Sequence, residues 1–216
     1  MVYGKGINDS PTPCQKFKWE DGKPKLVWRC PYYDLWSGIL YRCYSKAFHK
    51  RQPTYEGCDV AEEWLTFSVF KEWVLKQPLH DEWLNKEGDL QLDKDILLEG
   101  NRTYSPDACV FIPKYVNTAL AYSKNNGLPM GVTKRPARSG YEVGCNFSGK
   151  RKYLGTKSDP LAAHALWQEQ KVISLVSILD TYSSSKFFNK MVGDSLKKRI
   201  DRITKELHNG EETTNL

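Results

Sequence analysis

With 216 residues, 40% of them hydrophobic and seven of them Trp, the chain has apolar material for one large domain or two small ones. Its formal net charge of +6 favours an acidic partner, nucleic acid ahead of a membrane surface. No apolar run approaches the ~18 residues of a membrane span. The opening MVYGKGINDSPTP lacks the apolar core of a signal peptide, so the expectation is a soluble, intracellular protein with no membrane partner.

Residues 1–29 read as irregular, with Pro11, Pro13 and Pro24 among Gly and Lys. Asp21-Gly22 is a turn signal that lets Phe17, Trp19 and Val27-Trp28 form a small hairpin. Helical spacing of Tyr32, Leu35-Trp36, Ile39-Leu40 and Cys43 predicts a helix over 32–46. A basic loop follows over 47–57, where Lys50, Arg51 and Gln52, with Lys46 just before them, could grip a phosphate backbone or simply be solvated. A second helix is expected over 60–77, with Asp59 as N-cap, Glu62 three residues on, and Trp64, Phe67, Phe70 and Val74 as its core face. Residues 78–89 read as a loop.

The stretch Leu92–Asn117, LDKDILLEGNRTYSPDACVFIPKYVN, stands out. Leu90, Leu92, Ile96 and Leu98 alternate as in a half-buried strand. Gly100-Asn101 is expected to turn it into a second strand near 102–104. Ser105-Pro106-Asp107 reads as a helix start, with Val110, Phe111 and Ile112 packing that segment on to Asn117. On a regular strand Asp93 and Asp95 point the same way and Lys94 the other way. Two acids and an amide could converge on a divalent cation; a solvated acidic edge and a helix-end cap are the plainer readings.

Residues 121–129 read as a linker. Three short strands are expected at 130–134, 141–146 and 151–154, separated by turns at Ser139-Gly140 and Ser148-Gly149. Asp159 then caps a helix with Pro160 at its first position. A last amphipathic helix spans 184–208, stopped by Asn209-Gly210 and packed on the fold or on a second copy. The six cysteines form no CxxC pair. Reduced, buried thiols are the first expectation, and a structural Zn²⁺ held by Cys30, Cys43, Cys58 and Cys109 the second.

Several words of the sequence resemble, in order, a family of free-standing phage HNH (His-Asn-His) homing endonucleases, including those of podoviruses. They are YGKGIND, CPYYDLW, RCYS, QPTYEGCDV, EEWLTF, LDKDIL and GN-x-x-YSP-x-x-CVFIP, then GV, YLG and AHALW. The resemblance implies metal-dependent cleavage of double-stranded DNA, with Mg²⁺ or Mn²⁺, in the cytoplasm of an infected bacterial host. Asp93 matches the metal-binding acid at the end of the first finger strand, and Asn117 the last ligand, on the finger helix. Lys94 stands where better-known members carry the catalytic His. A lysine of ordinary pKa, ~10.4, is charged at neutral pH and takes a proton only if that value is depressed. Otherwise Lys94 neutralises phosphate, and water activation falls to the metal or to Asp95. His49, His80, His164 and His208 are all distant in sequence, and neither His49 nor His80 is marked by a motif.

The segment from about 127 to 175 resembles the ethylene-response-factor type of DNA-binding domain, in which a three-stranded sheet enters the major groove. Lys134, Arg135, Arg138, Tyr141, Lys150, Arg151, Lys152 and Tyr153 would form its basic and aromatic face. The expected fold class is therefore α+β. An irregular segment (1–29) precedes a helical part with a ββα-metal finger (30–120). A three-stranded sheet plus helix (127–180) and a C-terminal helix (184–209) follow, in a monomer or homodimer. The alternative function is a catalytically inactive, sequence-specific DNA-binding protein of phage origin; an inhibitor or interaction protein has no positive feature.

Overall fold

The computed structural model describes residues 1–121, 127–135, 139–147 and 150–216, the side chains of Phe147 and Lys150 excepted. It is a mixed α and β protein with four small sheets among the described residues. The chain forms two compact units, Met1–Glu87 with Leu92–Phe111, and Gly88–Gln91 with Ile112–Leu216. No helix of the described residues is long and apolar enough to cross a membrane.

The first unit begins with a hairpin of β1 (Gln15–Glu20) and β2 (Lys23–Arg29). Asp21 and Gly22 both take positive φ, as a two-residue hairpin turn requires. Helix α1 (Pro31–Tyr44) starts on a proline and buries Trp36, Ile39, Leu40 and Cys43, one stripe at three-to-four spacing. The expected basic loop instead holds a short helix α2 (Lys46–Arg51), capped by Ser45 Oγ accepting from Phe48 N.

The expected helix over 60–77 is divided. Asp59–Val60 form a short strand β3, parallel to β5 (Thr103–Tyr104). Asp59 is thus no N-cap; its Oδ1 accepts from Tyr44 Oη at 2.5 Å and from Val60 N at 2.8 Å. A 3-10 turn spans Glu62–Leu65, and α3 runs only over Phe67–Leu75. The break at Thr66 has a cause. Ile7 N donates to Leu65 O and Phe67 N donates to Ile7 O, so the N-terminal segment takes the backbone groups a continuous helix would use. Residues expected as loop supply α4 (His80–Leu84). The core of this unit gathers Trp36, Leu40, Val60, Trp64, Phe67, Phe70, Val74, Leu92, Tyr104 and Phe111.

The stretch Leu92–Asn117 is built differently from the expectation. Strand β4 (Leu90–Asp93) pairs with β6 (Val110–Pro113), not with β5. Ser105-Pro106-Asp107 starts a turn, closed by Ala108 N and Cys109 N on Ser105 O, and no helix. Val110, Phe111 and Ile112 are buried on both faces of their strand, which suits β-branched and aromatic residues. The helix, α5 (Lys114–Leu120), follows Pro113.

In the second unit β7 (Val132–Thr133), β8 (Tyr141–Phe147) and β9 (Lys150–Lys157) form an antiparallel three-stranded sheet in chain order. Asp159 caps α6 (Pro160–Ser183) through Oδ2, 2.7 Å from Ala162 N. The helix runs 24 residues. It packs Ala163 and Trp167 against Val132, Val143 and Cys145 of the sheet. Helix α7 (Lys190–Asn209) starts later than expected, at an Asn189 cap, and ends on left-handed Gly210. The tail beyond it folds back on α6. His164 Nδ1 donates to Met130 O and its Nε2 accepts from Thr213 N, both at 2.9 Å, while Gln168 Nε2 donates to Thr213 Oγ1.

Candidate metal and nucleic-acid sites

Strand β4 ends at Asp93, and the chain turns at once. Asp93 Oδ1 accepts from Asp95 N at 3.0 Å and from Ile96 N at 2.7 Å. Asp93 is buried, and burial is the largest influence on its carboxyl. With the Asp95 charge it pushes the pKa up to about 6, against the pull of the two backbone N–H groups. Because the strand stops here, Lys94 is not sent to the opposite face. Its Nζ lies 2.9 Å from Asp95 Oδ2, 3.3 Å from Asn101 O and 5.9 Å from the Tyr104 ring centre.

That geometry bears on the expected base. Burial alone would lower the Lys94 pKa, but the Asp95 hydrogen bond and the charges of Asp95, Cys58 and Asp93 outweigh it. The ammonium is held above its ordinary value. Lys94 is therefore a charged partner of Asp95 at neutral pH and has no proton vacancy to act as general base. Asn101, which the Gly-Asn turn signal marked only as a turn, locks this arrangement. Its Nδ2 donates to Lys94 O and Thr103 O, and its Oδ1 accepts from Thr103 N.

Asn117 lies on α5 in the second unit, and its Nδ2 donates to Gln91 Oε1 at 2.8 Å. Among the described residues no group of three or more His, Cys, Asp or Glu side chains could hold a metal ion. The fit of a divalent cation is narrower than that. Asp93 and Asp95 are two neighbouring carboxylates, with Asp93 raised chiefly by burial and next by the Asp95 charge, and hard oxygen donors of this kind are what Mg²⁺ or Mn²⁺ takes. Zinc fits less well. Cys30, Cys43, Cys58 and Cys109 are free and gather no such group, and burial pushes the Cys43 and Cys109 thiols up to about 12, away from the thiolate a metal needs. His49 and His80 are occupied as well. His49 Nε2 is bonded to Arg42 O; His80 contacts Tyr32 Oη through Nε2 and Asp81 through Nδ1. In the expected basic loop, Lys50, Arg51 and Gln52 are exposed, and so is Lys46 just before it.

The sheet of the second unit has two unlike faces. Val132, Val143 and Cys145 are buried under α6. On the opposite face Asn146 stands opposite Arg151, and Gly144 opposite Tyr153, which is exposed. A Cβ at Gly144 would meet Arg151 Nε at 2.5 Å, so only glycine lets the guanidinium lie across the strand there. Lys134 Nζ stands 4.3 Å over the Tyr141 ring, and Arg135 Nε is 2.8 Å from Glu142 Oε2. Glu142 is a carboxylate within the basic face that the charge pattern did not mark. Lys152 pairs with Cys145, on the helix-facing side, and is itself exposed. Of the remaining expected residues, Arg138, the Lys150 side chain, the Ser148-Gly149 turn and most of the linker lie outside the described residues.

Comparison of the chain with protein-family models, with curated proteins and with solved structures finds no match.

Proposed function

We propose that the protein is a metal-dependent DNA endonuclease of the HNH type, directed to duplex DNA by the three-stranded sheet of its second unit. The observation that carries the reading is the Asp93–Asp95 pair at the end of β4. Asp93 is raised first by burial and next by the Asp95 charge, and a bound cation would relieve the repulsion between the two carboxylates. Along the chain β4, β5 and β6 precede α5, so strands still lead into a helix, although β4 pairs with β6 and the helix starts at Lys114, not at Ser105. The part of Asn117 as a further ligand rests on the resemblance alone.

In this reading Asp93 and Asp95 hold a Mg²⁺ or Mn²⁺ ion. When bound, the ion polarises a phosphodiester and lowers the pKa of a water. Asp93 is fixed by its two backbone N–H donors and so presents a preset first ligand. Lys94 stays protonated, orients Asp95, and neutralises charge on a phosphate oxygen. Asp95, half exposed and paired with the Lys94 ammonium, would take the proton of the attacking water in this reading. Arg151 and Tyr153, with Lys134 and Arg135, meet the duplex: arginine reads guanine edges, and lysine holds phosphate.

The test is nicking of supercoiled plasmid and of phage and host DNA in Mg²⁺ or Mn²⁺. Cleavage that falls at least about 100-fold in Asp93→Asn, and that chelator abolishes, supports the reading. One observation favours a second reading, a DNA-binding protein without cleavage: the Lys94 ammonium already supplies Asp95 with a cation at 2.9 Å. Retention of duplex DNA with no cleavage in either metal selects that second reading.

A further inference from the structure

The hairpin β1–β2 is the most exposed ordered element of the first unit. It is rooted by Cys14, buried, and by Cys30, whose N donates to Cys14 O. Every residue from Asp21 to Arg29 is exposed. The register sorts its side chains. Phe17 opposes Leu26 and Trp19 opposes Pro24, which places these four on one face. Lys18 opposes Lys25 and Glu20 opposes Lys23 on the other face. The irregularity between Lys16 and Phe17 turns Trp28 onto the lysine side, where Lys16 Nζ lies 5.6 Å from its ring centre.

One face is therefore aromatic and uncovered, with Trp19 71% and Phe17 55% exposed. The other carries Lys16, Lys18, Lys23 and Lys25 with Trp28 and a single Glu20, whose carboxylate lies 3.5 Å from Lys18 Nζ and 2.8 Å from Lys25 Nζ, leaving a net positive face. Exposed aromatic rings grouped on one face mark an interaction surface. Four lysines behind them, on a ribbon only two strands wide, ask for a partner that offers flat apolar rings and closely spaced anions together. A lipid surface or a second copy would use the aromatic face and leave the lysines pointing away. An unpaired nucleic-acid strand supplies both: its bases stack on Trp19 and Phe17, and its phosphates pass round the strand edge to the lysines.

We propose that this hairpin is a binding site for unpaired DNA, distinct from the duplex-reading sheet. The inference rests on the DNA-directed reading only for the choice of DNA as the nucleic acid. In that setting the hairpin holds bases freed from pairing next to a break or a distorted step.

The experiment titrates the full-length protein into a fluorescein-labelled 20-mer of thymidine, without divalent metal, over a series of salt concentrations. Trp19→Ala and Phe17→Ala are each expected to weaken binding about tenfold, since base stacking on one ring is worth about that much. Changing the four lysines to Ala should flatten the salt dependence, by about 0.7 in slope for each phosphate no longer neutralised. These side chains are exposed, so the variants keep the fold; circular dichroism and an unchanged melting profile verify that. Asp93→Asn should bind the 20-mer as the wild type does, and Arg151→Ala should lose duplex affinity but not 20-mer affinity, so this inference and the endonuclease reading can fail separately. Unchanged 20-mer binding in the Trp19, Phe17 and lysine variants overturns the inference. So does preferential binding of phosphatidylserine vesicles that Trp19→Ala abolishes, or a dimer that it dissociates with no effect on DNA.

Discussion

Replacing Asp93 by Asn should stabilise the first unit while removing its proposed activity. The folded chain holds the Asp93 carboxyl at about 6 against an ordinary 3.8, chiefly by burial and next by the Asp95 charge. Between those two pH values the folded state keeps a proton that the unfolded state has released. Stability contributed by this group therefore falls as pH rises through the window, and above about pH 6 the full penalty is present. A displacement of roughly two pH units, at about 1.4 kcal/mol each, makes that penalty ~3 kcal/mol. Asn keeps an oxygen to accept from Asp95 N and Ile96 N, and its amide can donate to Asp95. The variant is thus expected to gain about 2 kcal/mol at pH 7.5 and almost nothing at pH 4. Urea unfolding followed by Trp fluorescence reports mainly on the first unit, which holds Trp19, Trp28, Trp36, Trp64, Trp73 and Trp83 of the seven. Millimolar Mg²⁺ or Mn²⁺ should stabilise the wild type and leave the variant unchanged. A variant less stable than the wild type at pH 7.5, or a difference that is the same at pH 4 and pH 7.5, would refute the reasoning.

His164 predicts the opposite slope in the second unit. Burial lowers its pKa below 6.5, and its two ring nitrogens are committed to a neutral tautomer, one donating to Met130 O and one accepting from Thr213 N. The stability of that unit should fall as pH drops below about 6.5, with Glu206 and Glu212 opposing the effect; His164→Gln should remove this pH dependence in hydrogen exchange of the Thr213 amide. Gly131 sits at φ +77 with Trp167 Cδ1 only 2.0 Å from where a Cβ would stand. Gly131→Ala should cost about 2–3 kcal/mol in the second unit, seen as a lowered melting temperature. Gly144→Ala displaces only the flexible end of Arg151, so duplex affinity should fall severalfold in a filter-binding assay while the melting temperature barely moves.

Where local chemistry decides structure, the sequence was a sufficient guide. The Asp21-Gly22 turn, the Asp159 cap with Pro160 and the Gly210 stop all read directly, because each is a contact within a few residues. What failed was pairing at a distance. Nothing near Thr66 announces that Ile7 will take its neighbours' hydrogen bonds, and nothing near Tyr104 announces Asp59 and Val60 as its partners. The same holds for the candidate site. Asp93 and Asp95 were visible as a pair, but the turn that brings Lys94 onto Asp95 depends on Asn101 clamping the loop from seven residues away.

The alternation of the two units along the chain has a consequence for how the protein is made. The first unit needs Leu92–Phe111 and the second needs Gly88–Gln91. As the chain leaves the ribosome, the first unit cannot close until Phe111 has emerged, and by then four residues of the second have waited without their neighbours. Synthesis thus passes through an interval in which Leu90–Asp93 have emerged without β6, their pairing partner among the described residues. An arrest or a frameshift inside that interval would release a chain whose first unit lacks its last core strand, a ready target for the quality-control proteases of the cell.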